Sequence, residues 1–238
     1  MKALFLVLGL IWLGSAGADP IEVVTEDSSY TYVEHGKVAG PATQVVEETL
    51  RQAGIDDYHL ALYPWARAYS IATQKPNVLI YPMVRTPERE ALFHWVGELA
   101  TVSIFLYKFR NQPGIQVTNL DTAKAYTIGV VRDDSREHYL QSQGFKKLIV
   151  SADNDENFRL FTLHQVQLIP MPERDAKSFC QQKHIAFDQL EVAYPLHDME
   201  KGIYMAYSLG TSEELVSRTT RAFSAVVENG ELRKAMGH

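Results

Sequence analysis

The sequence predicts an α/β protein built on largely parallel sheets, and three observations predict it. Short β-branched runs alternate with segments whose apolar residues recur at helical spacing. No repeat period and no tract rich in Pro, Gly and Ser breaks that alternation, so any two halves must be joined by short crossovers. Hydrophobic residues make up 46% of the 238, enough for a real core.

The chain opens on a targeting pattern. Met1-Lys2 is positive, Ala3 to Leu13 is apolar, and Gly14-Ser15-Ala16-Gly17-Ala18 supplies the small residues a signal peptidase reads. The apolar run is shorter than the roughly 20 residues a bilayer span needs. A lipid anchor would need a cysteine where Asp19 stands. The expectation is a cleavable signal over residues 1–18 and a soluble periplasmic protein, not inserted in the membrane, that starts at Asp19.

The elements follow in order. Ile21 to Thr25 is a β-branched strand. After Gly40-Pro41, the residues Val45, Val46, Thr49, Leu50 and Ala53 mark a helix that Gly54 stops. Tyr58 to Tyr63 reads as a strand, and Pro64 suits the first turn of a helix over Trp65 to Gln74. Lys75-Pro76 ends it, and Val78-Leu-Ile-Tyr81 is a buried-strand run. Strands follow at Ser103 to Phe109, Tyr126 to Val131, Lys147 to Val150, Val166 to Ile169, Leu190 to Tyr194 and Ile203 to Tyr207. Helices fall between them: from Ser135 to Gly144, over Glu156 to His164, and over Arg174 to Gln182. Thr211 and Glu214 have capping-box spacing for a last helix ending near Gly230.

Composition narrows the function. The net charge is −6, or −7 once Lys2 is removed with the signal, and no dense basic run exists, which argues against nucleic acid. Cys180 is alone in a predicted helix, expected to be buried and inert. The chain has no G-x-S-x-G, H-E-x-x-H or P-loop. Eight histidines are scattered without ligand spacing, so neither metal nor cofactor is expected. Asp153-Asn-Asp-Glu-Asn157 hints at a calcium loop, but Phe158 and His164 occupy its sixth and twelfth positions, so a loop leading into a helix is the better reading.

Four ordered blocks carry a family resemblance. They are Ser28-Ser-Tyr-Thr-Tyr-Val-Glu-His-Gly-Lys-Val-Ala-Gly40, Tyr63-Pro-Trp-Ala-Arg-Ala68, Tyr81-Pro-Met-Val-Arg-Thr-Pro-Glu-Arg89 with Phe93-His-Trp-Val-Gly97, and Ile203-Tyr-Met-Ala-Tyr-Ser-Leu-Gly-Thr-Ser-Glu-Glu-Leu215 with Ala222-Phe to Glu228-Asn-Gly230. Together they resemble family 3 of the bacterial extracellular solute-binding proteins, which serve polar amino-acid ABC importers. The resemblance implies a two-lobed type II periplasmic-binding-protein fold. One lobe would take residues 19–99 and 200–238, the other 103–195, with hinges at about 100–102 and 196–199. It also implies a monomer that hands a small ligand to an ABC permease or a sensor.

Site residues follow from the same resemblance. Arg89 falls where relatives clamp a carboxylate, and a guanidinium fork matches that group in two parallel hydrogen bonds. A structural salt bridge with Glu88 or Glu90 is the alternative. Thr86 would cap a short helix opening at Pro87, and Ser135 would offer a hydroxyl at a helix N-terminus, where it also serves as a plain N-cap. Tyr30 and Trp65 would be aromatic walls, with Tyr32 in the core. Arg67 is either a second anion contact or a solvated residue. Relatives place a hydroxyl residue near Met83 and Val84 and an acid at Pro172; Glu173, next door, is the candidate substitute. These departures put an α-amino acid ligand in doubt, since a buried ammonium without a partner is costly. Binding is favoured over the alternative of a dehydratase-like enzyme on the same fold, for which Glu173, Asp134 or His94 would be the acid or base.

Overall fold

The computed structural model describes residues 20–237. The signal expected over residues 1–18, and Asp19, lie outside the described residues. In the first half of the chain, β1 (Ile21–Thr25) lies between β4 (Tyr58–Leu62) and β5 (Val78–Val84) and runs parallel to both, with Val23 opposite Leu60 and Leu79. Helices α1 (Pro41–Gln52) and α2 (Trp65–Gln74) cover opposite faces of this sheet. Leu79 and Tyr81 pack with Val45, Val46 and Leu50 of α1, while Val78 and Ile80 pack with Ala68 and Ala72 of α2. Both faces are buried, which is why β5 reads as an unbroken apolar run.

The β1–α1 connection holds a hairpin that the sequence reading passed over, β2 (Tyr32–Glu34) and β3 (Lys37–Ala39). Its turn, His35-Gly36, has positive φ at both residues, 50° and 76°, the geometry that suits a two-residue hairpin. Gly40 follows at φ 113°, and a Cβ there would meet the Tyr30 carbonyl oxygen at 2.5 Å. Only glycine lets that carbonyl accept from the Ala42 N–H at 3.0 Å, a bond that ties the Tyr30 loop to α1.

Two long strands unite the molecule. β6 (Phe93–Phe109) and β10 (Leu190–Ser208) are antiparallel along most of their length. The segments read as separate strands at 190–194 and 203–207 are one strand, interrupted where the register jumps from Leu196 opposite Ile104 to Lys201 opposite Val102. The polar residues His197, Asp198 and Glu200 hid that continuity. One end of the pair adds to the first sheet through β5; the other carries β9 (Ile169–Pro172) on β6. The sheet is therefore mixed, in the order β4-β1-β5-β10-β6-β9. β7 (Ile128–Val131) and β8 (Leu148–Ser151) form a parallel pair, linked to the segment before β9 by a bridge between Ile128 and Leu168.

Helices α3 (Leu120–Ala123), α4 (Ser135–Ser142), α5 (Asn154–Thr162) and α6 (Glu173–Gln182) dress this second half. Its core is aromatic: Phe158 stacks on Phe179 at 5.3 Å, and Phe161 lies 4.7 Å from Phe109. α7 (Glu213–Glu228) returns to the first half, where Phe223 lies on Gly97 so closely that a Cβ would come within 2.0 Å of its ring. The cap of α7 is Ser212, whose hydroxyl accepts from the Leu215 N–H, rather than Thr211, which is turned inward onto Ser208. Gly230, at φ 82°, ends α7, and a short α8 (Glu231–Met236) follows. No helix among the described residues is long and apolar enough to cross a membrane.

Cys180 sits in the aromatic core at 1% exposure, and burial pushes its thiol up to about 11. Native protein at pH 8 is expected to resist thiol reagents and to label stoichiometrically in denaturant. Rapid labelling of the native state would show that α6 opens.

Candidate ligand-binding cleft

The C-terminal end of β1 and the N-terminal ends of α4, α5 and α6 converge between the two halves. Past Thr25 the chain turns tightly: the Ser28 N–H donates to the Thr31 carbonyl at 2.7 Å, and the Ser28 hydroxyl accepts from the Tyr30 and Thr31 N–H groups. This turn aims Ser29 across the cleft, where its N–H, at 3.1 Å, and its hydroxyl both donate to Asp175. Asn154, at the start of α5, donates from Nδ2 to Glu26 at 3.0 Å and to the Asp27 carbonyl at 3.1 Å.

These residues enclose an inner cavity of about 70 Å³. Glu26, Asp134, Asp175 and Arg136 are its charged lining. Asp134 and Arg136 satisfy each other through bonds of 2.6 and 3.1 Å, and Arg136 also donates to the Pro170 carbonyl and to Asn154. Burial alone would raise Asp134, but the ion pair and hydrogen bonds from Arg136 outweigh it and hold the carboxyl below its ordinary range. Glu26 and Asp175 have only neutral donors. Desolvation, with Asp134 nearby, pushes Glu26 up to about 8. Burial likewise raises Asp175, and the bonds from Ser29 offset only part of the rise.

A second, outer cavity of about 580 Å³ shares Val84, Ser135 and Met199 with the inner one. Arg89 and Thr86 line it. Arg89 is 5% exposed, and its guanidinium lies against the adjacent rings of Trp65 and Tyr69, 4.9 and 5.0 Å from their centroids. Its Nη1 donates to the Val84 carbonyl at 3.1 Å and its Nη2 to the Asp133 carbonyl at 3.4 Å. Trp65 Nε1 donates to the same Asp133 oxygen at 2.8 Å. Arg89 and Trp65 thus bridge the two halves through one carbonyl. Neither Glu88 nor Glu90 pairs with Arg89; Glu90 takes Arg85 instead.

The other candidates are placed as follows. Tyr30 is buried in the inner wall, with Arg174 over its ring at 4.9 Å. Ser135 lines both cavities as the first residue of α4. The cap of α4 is Asp134, whose carboxylate accepts from the Arg136 N–H, so an acid of the chain already occupies that helix N-terminus. Thr86 caps no α-helix: a turn follows it, then a 3₁₀ turn over Glu90–Leu92, and its carbonyl accepts from the Arg89 N–H. Arg67 is exposed, stacked on Tyr63 at 4.7 Å, and lines neither cavity. Glu173 is exposed and paired with Lys177; the acid that faces the cleft from that segment is Asp175, two residues on.

Sequence reasoning missed Glu26, Asp175, Arg136 and Asn154. Glu26 had a signal, an acid just past the carboxyl end of the first strand, where α/β sheets place ligands. Asp175 had none. Asp133, Glu137 and His138 bring potential metal-ligand atoms within 4.8 Å of one another, but both Glu137 oxygens already accept, from the Asp133 N–H and from Gln141.

No family model matches the sequence. No curated protein matches it either. Solved structures do match. A histidine kinase sensor domain with similarity to periplasmic binding proteins superposes with a TM-score of 0.79 at 15% identity, over 91% of this chain and 94% of that one. The arginine-, lysine-, histidine-binding protein ArtJ from Geobacillus stearothermophilus gives 0.77 at 16% identity, over 91% and 93%. The amino acid ABC transporter substrate-binding protein AbpA from Streptococcus pneumoniae, bound to L-arginine, gives 0.77 at 15%, over 91% and 92%. The chain therefore has the two-lobed α/β fold of the periplasmic binding proteins, with the cleft described above between its lobes.

Proposed function

We propose that the protein binds a small solute in this cleft and that the ligand presents an amine or guanidinium group to Glu26 and Asp175. The observation that carries the reading is the unmatched pair of carboxylates. A third acid, Asp134, is neutralised by Arg136, while these two have only amide and hydroxyl partners. A buried negative charge without a cation is costly, and a cationic ligand supplies the missing partner. ArtJ and AbpA, which share the fold, bind arginine, a ligand with such a group. A carboxylate on the same ligand is assigned to the outer cavity, beside Arg89 and Ser135. The segments 100–102 and 196–199, where β6 and β10 pass between the lobes and their register breaks, are the proposed hinges between residues 19–99 plus 200–238 and residues 103–195. With the export signal read over residues 1–18, the protein acts as a monomer in the periplasm and delivers its ligand to an ABC permease or a membrane sensor.

The test is a thermal-shift and calorimetry panel on protein starting at Asp19, with agmatine, putrescine and arginine set against glutamine and glutamate. A cationic ligand at about 100 times its Kd stabilises by roughly 2.7 kcal/mol, a rise on the order of 5–10 °C for a chain of this size. Asp175→Asn is expected to weaken the bound cation by about tenfold or more without unfolding the protein. A panel in which only glutamate raises the midpoint would overturn the reading.

A further inference from the structure

We propose that Glu26 and Asp175 form a proton-operated clasp between the lobes, which holds the ligand-free cleft shut when both carboxyls are neutral and releases it when they ionise. This goes beyond the function proposed above and does not depend on which ligand the cleft takes.

The side-chain bonds that cross the cleft are of two kinds. Trp65 and Arg89 donate to the Asp133 carbonyl, and Arg174 donates to the Met236 carbonyl at 3.2 Å. Those bonds are the same at any pH that leaves the protein folded. The other kind ends on carboxyl groups, one on each side of the cleft. Ser29 donates to Asp175 through its N–H and its hydroxyl, and Asn154 donates to Glu26 at 3.0 Å. Amide and hydroxyl donors serve a neutral carboxyl well but do not balance a charge.

The surroundings decide what that charge costs. Around Glu26 stand Asp134 and Arg136 of α4, Asp175 of α6, and Arg89 after β5. Asp134 engages Arg136, and the Val84 and Asp133 carbonyls engage Arg89, so neither cation pairs with Glu26. Asp175 faces Arg136 and Arg174, and Arg174 lies over the Tyr30 ring. Beside them Asp27 faces Asp153 and Asp155 of α5, while Lys183 is taken by Asp155. Pro82, Val102, Ile104, Pro172 and Ile203 complete the inner wall without a polar side chain. Closed lobes therefore set Glu26 and Asp27 against Asp134, Asp153, Asp155 and Asp175, with too few free cations to balance them. Ionising Glu26 and Asp175 in that setting costs water and adds repulsion. Opening about the proposed hinges returns both to solvent.

The sign follows from linkage. Burial raises both carboxyls in the closed form, and an open cleft restores their ordinary values. The closed form holds more protons across that window, so closure is favoured as pH falls and lost as pH rises. Each proton coupled to closure changes the closed-to-open ratio by up to about tenfold per pH unit. In acid the shut cleft excludes solute.

Small-angle scattering on ligand-free protein starting at Asp19, from pH 5 to pH 9, tests the clasp. The radius of gyration is expected to rise cooperatively with pH while near-ultraviolet circular dichroism stays native. Glu26→Gln should make the transition shallower, and Glu26→Gln with Asp175→Asn should keep the protein compact through pH 9. A wild-type radius that ignores pH overturns the proposal, and so does an equally steep rise in Glu26→Gln or in the double variant. No ligand enters this experiment, so its failure leaves the cation site to the binding panel, and a failed panel leaves the clasp to this one.

Discussion

Truncating Arg89 to alanine is expected to lower the unfolding midpoint of the ligand-free protein by about 5–15 °C. The guanidinium lies against two aromatic rings and donates to carbonyls of both lobes. A desolvated cation–π contact is worth about 2 kcal/mol and a hydrogen bond from a charged group about 1.5–3 kcal/mol. These contributions are not additive, and a loss of about 2–4 kcal/mol is the reasonable expectation. For a chain of this length each kcal/mol moves the midpoint by about 2–4 °C. Arg89→Lys should recover little, because an ammonium neither spans two carbonyls nor stacks flat on Trp65. Thermal and urea unfolding of both variants checks this. A midpoint within a degree or two of wild type would mean that the guanidinium is free for a ligand, as the family resemblance implied, and that its bonds to Val84 and Asp133 contribute little.

Arg89 also shows where sequence reasoning stops. The family resemblance singled it out, as a carboxylate clamp at the end of T-P-E-R. Its partners were not, since the Asp133 carbonyl is 44 residues away and a backbone oxygen leaves no trace in residue identity. The same division holds for the fold. α2 was read to the residue because Pro64 and Lys75-Pro76 punctuate both ends. β9 was read three residues early, because Val166 and Leu168 are buried core positions that precede the strand proper. β10 was read as two strands, because three of the four residues at the register break, His197, Asp198 and Glu200, carry polar side chains. Within the cleft, the choice between Glu173 and Asp175 was beyond sequence: both fall in the first turn of α6, and only the rotation of that helix against β9 decides which acid turns inward.

That inward-facing charge implies a strong pH dependence, centred on Glu26. Asp134, Asp175, Arg136 and Arg89 surround it, with Asn154 its hydrogen-bond donor. Its carboxyl is raised from an ordinary 4.5 to about 8. Between those values the folded protein holds a proton that the unfolded chain has released, so the stability of the ligand-free protein falls as pH rises through that window. Asp175 and Asp27, the latter raised to about 6, contribute with the same sign. Asp134, whose folded value is lowered, opposes them only as pH falls through the acid range. The melting midpoint should therefore be higher at pH 5 than at pH 8, and Glu26→Gln should flatten much of that slope. Ligand binding runs the other way. A cation seated beside Glu26 favours its ionised form and expels the proton, so affinity should rise by nearly tenfold per pH unit below the carboxyl's value, about 50-fold between pH 6 and pH 8, before levelling off. Calorimetry at pH 6.5 in two buffers of different ionisation heat should register close to one proton released per ligand, and Glu26→Gln should abolish both the release and the slope. Proton uptake, or an affinity that ignores pH in the wild type, would show that the cation is held elsewhere and that Glu26 serves the loop it anchors with Asn154.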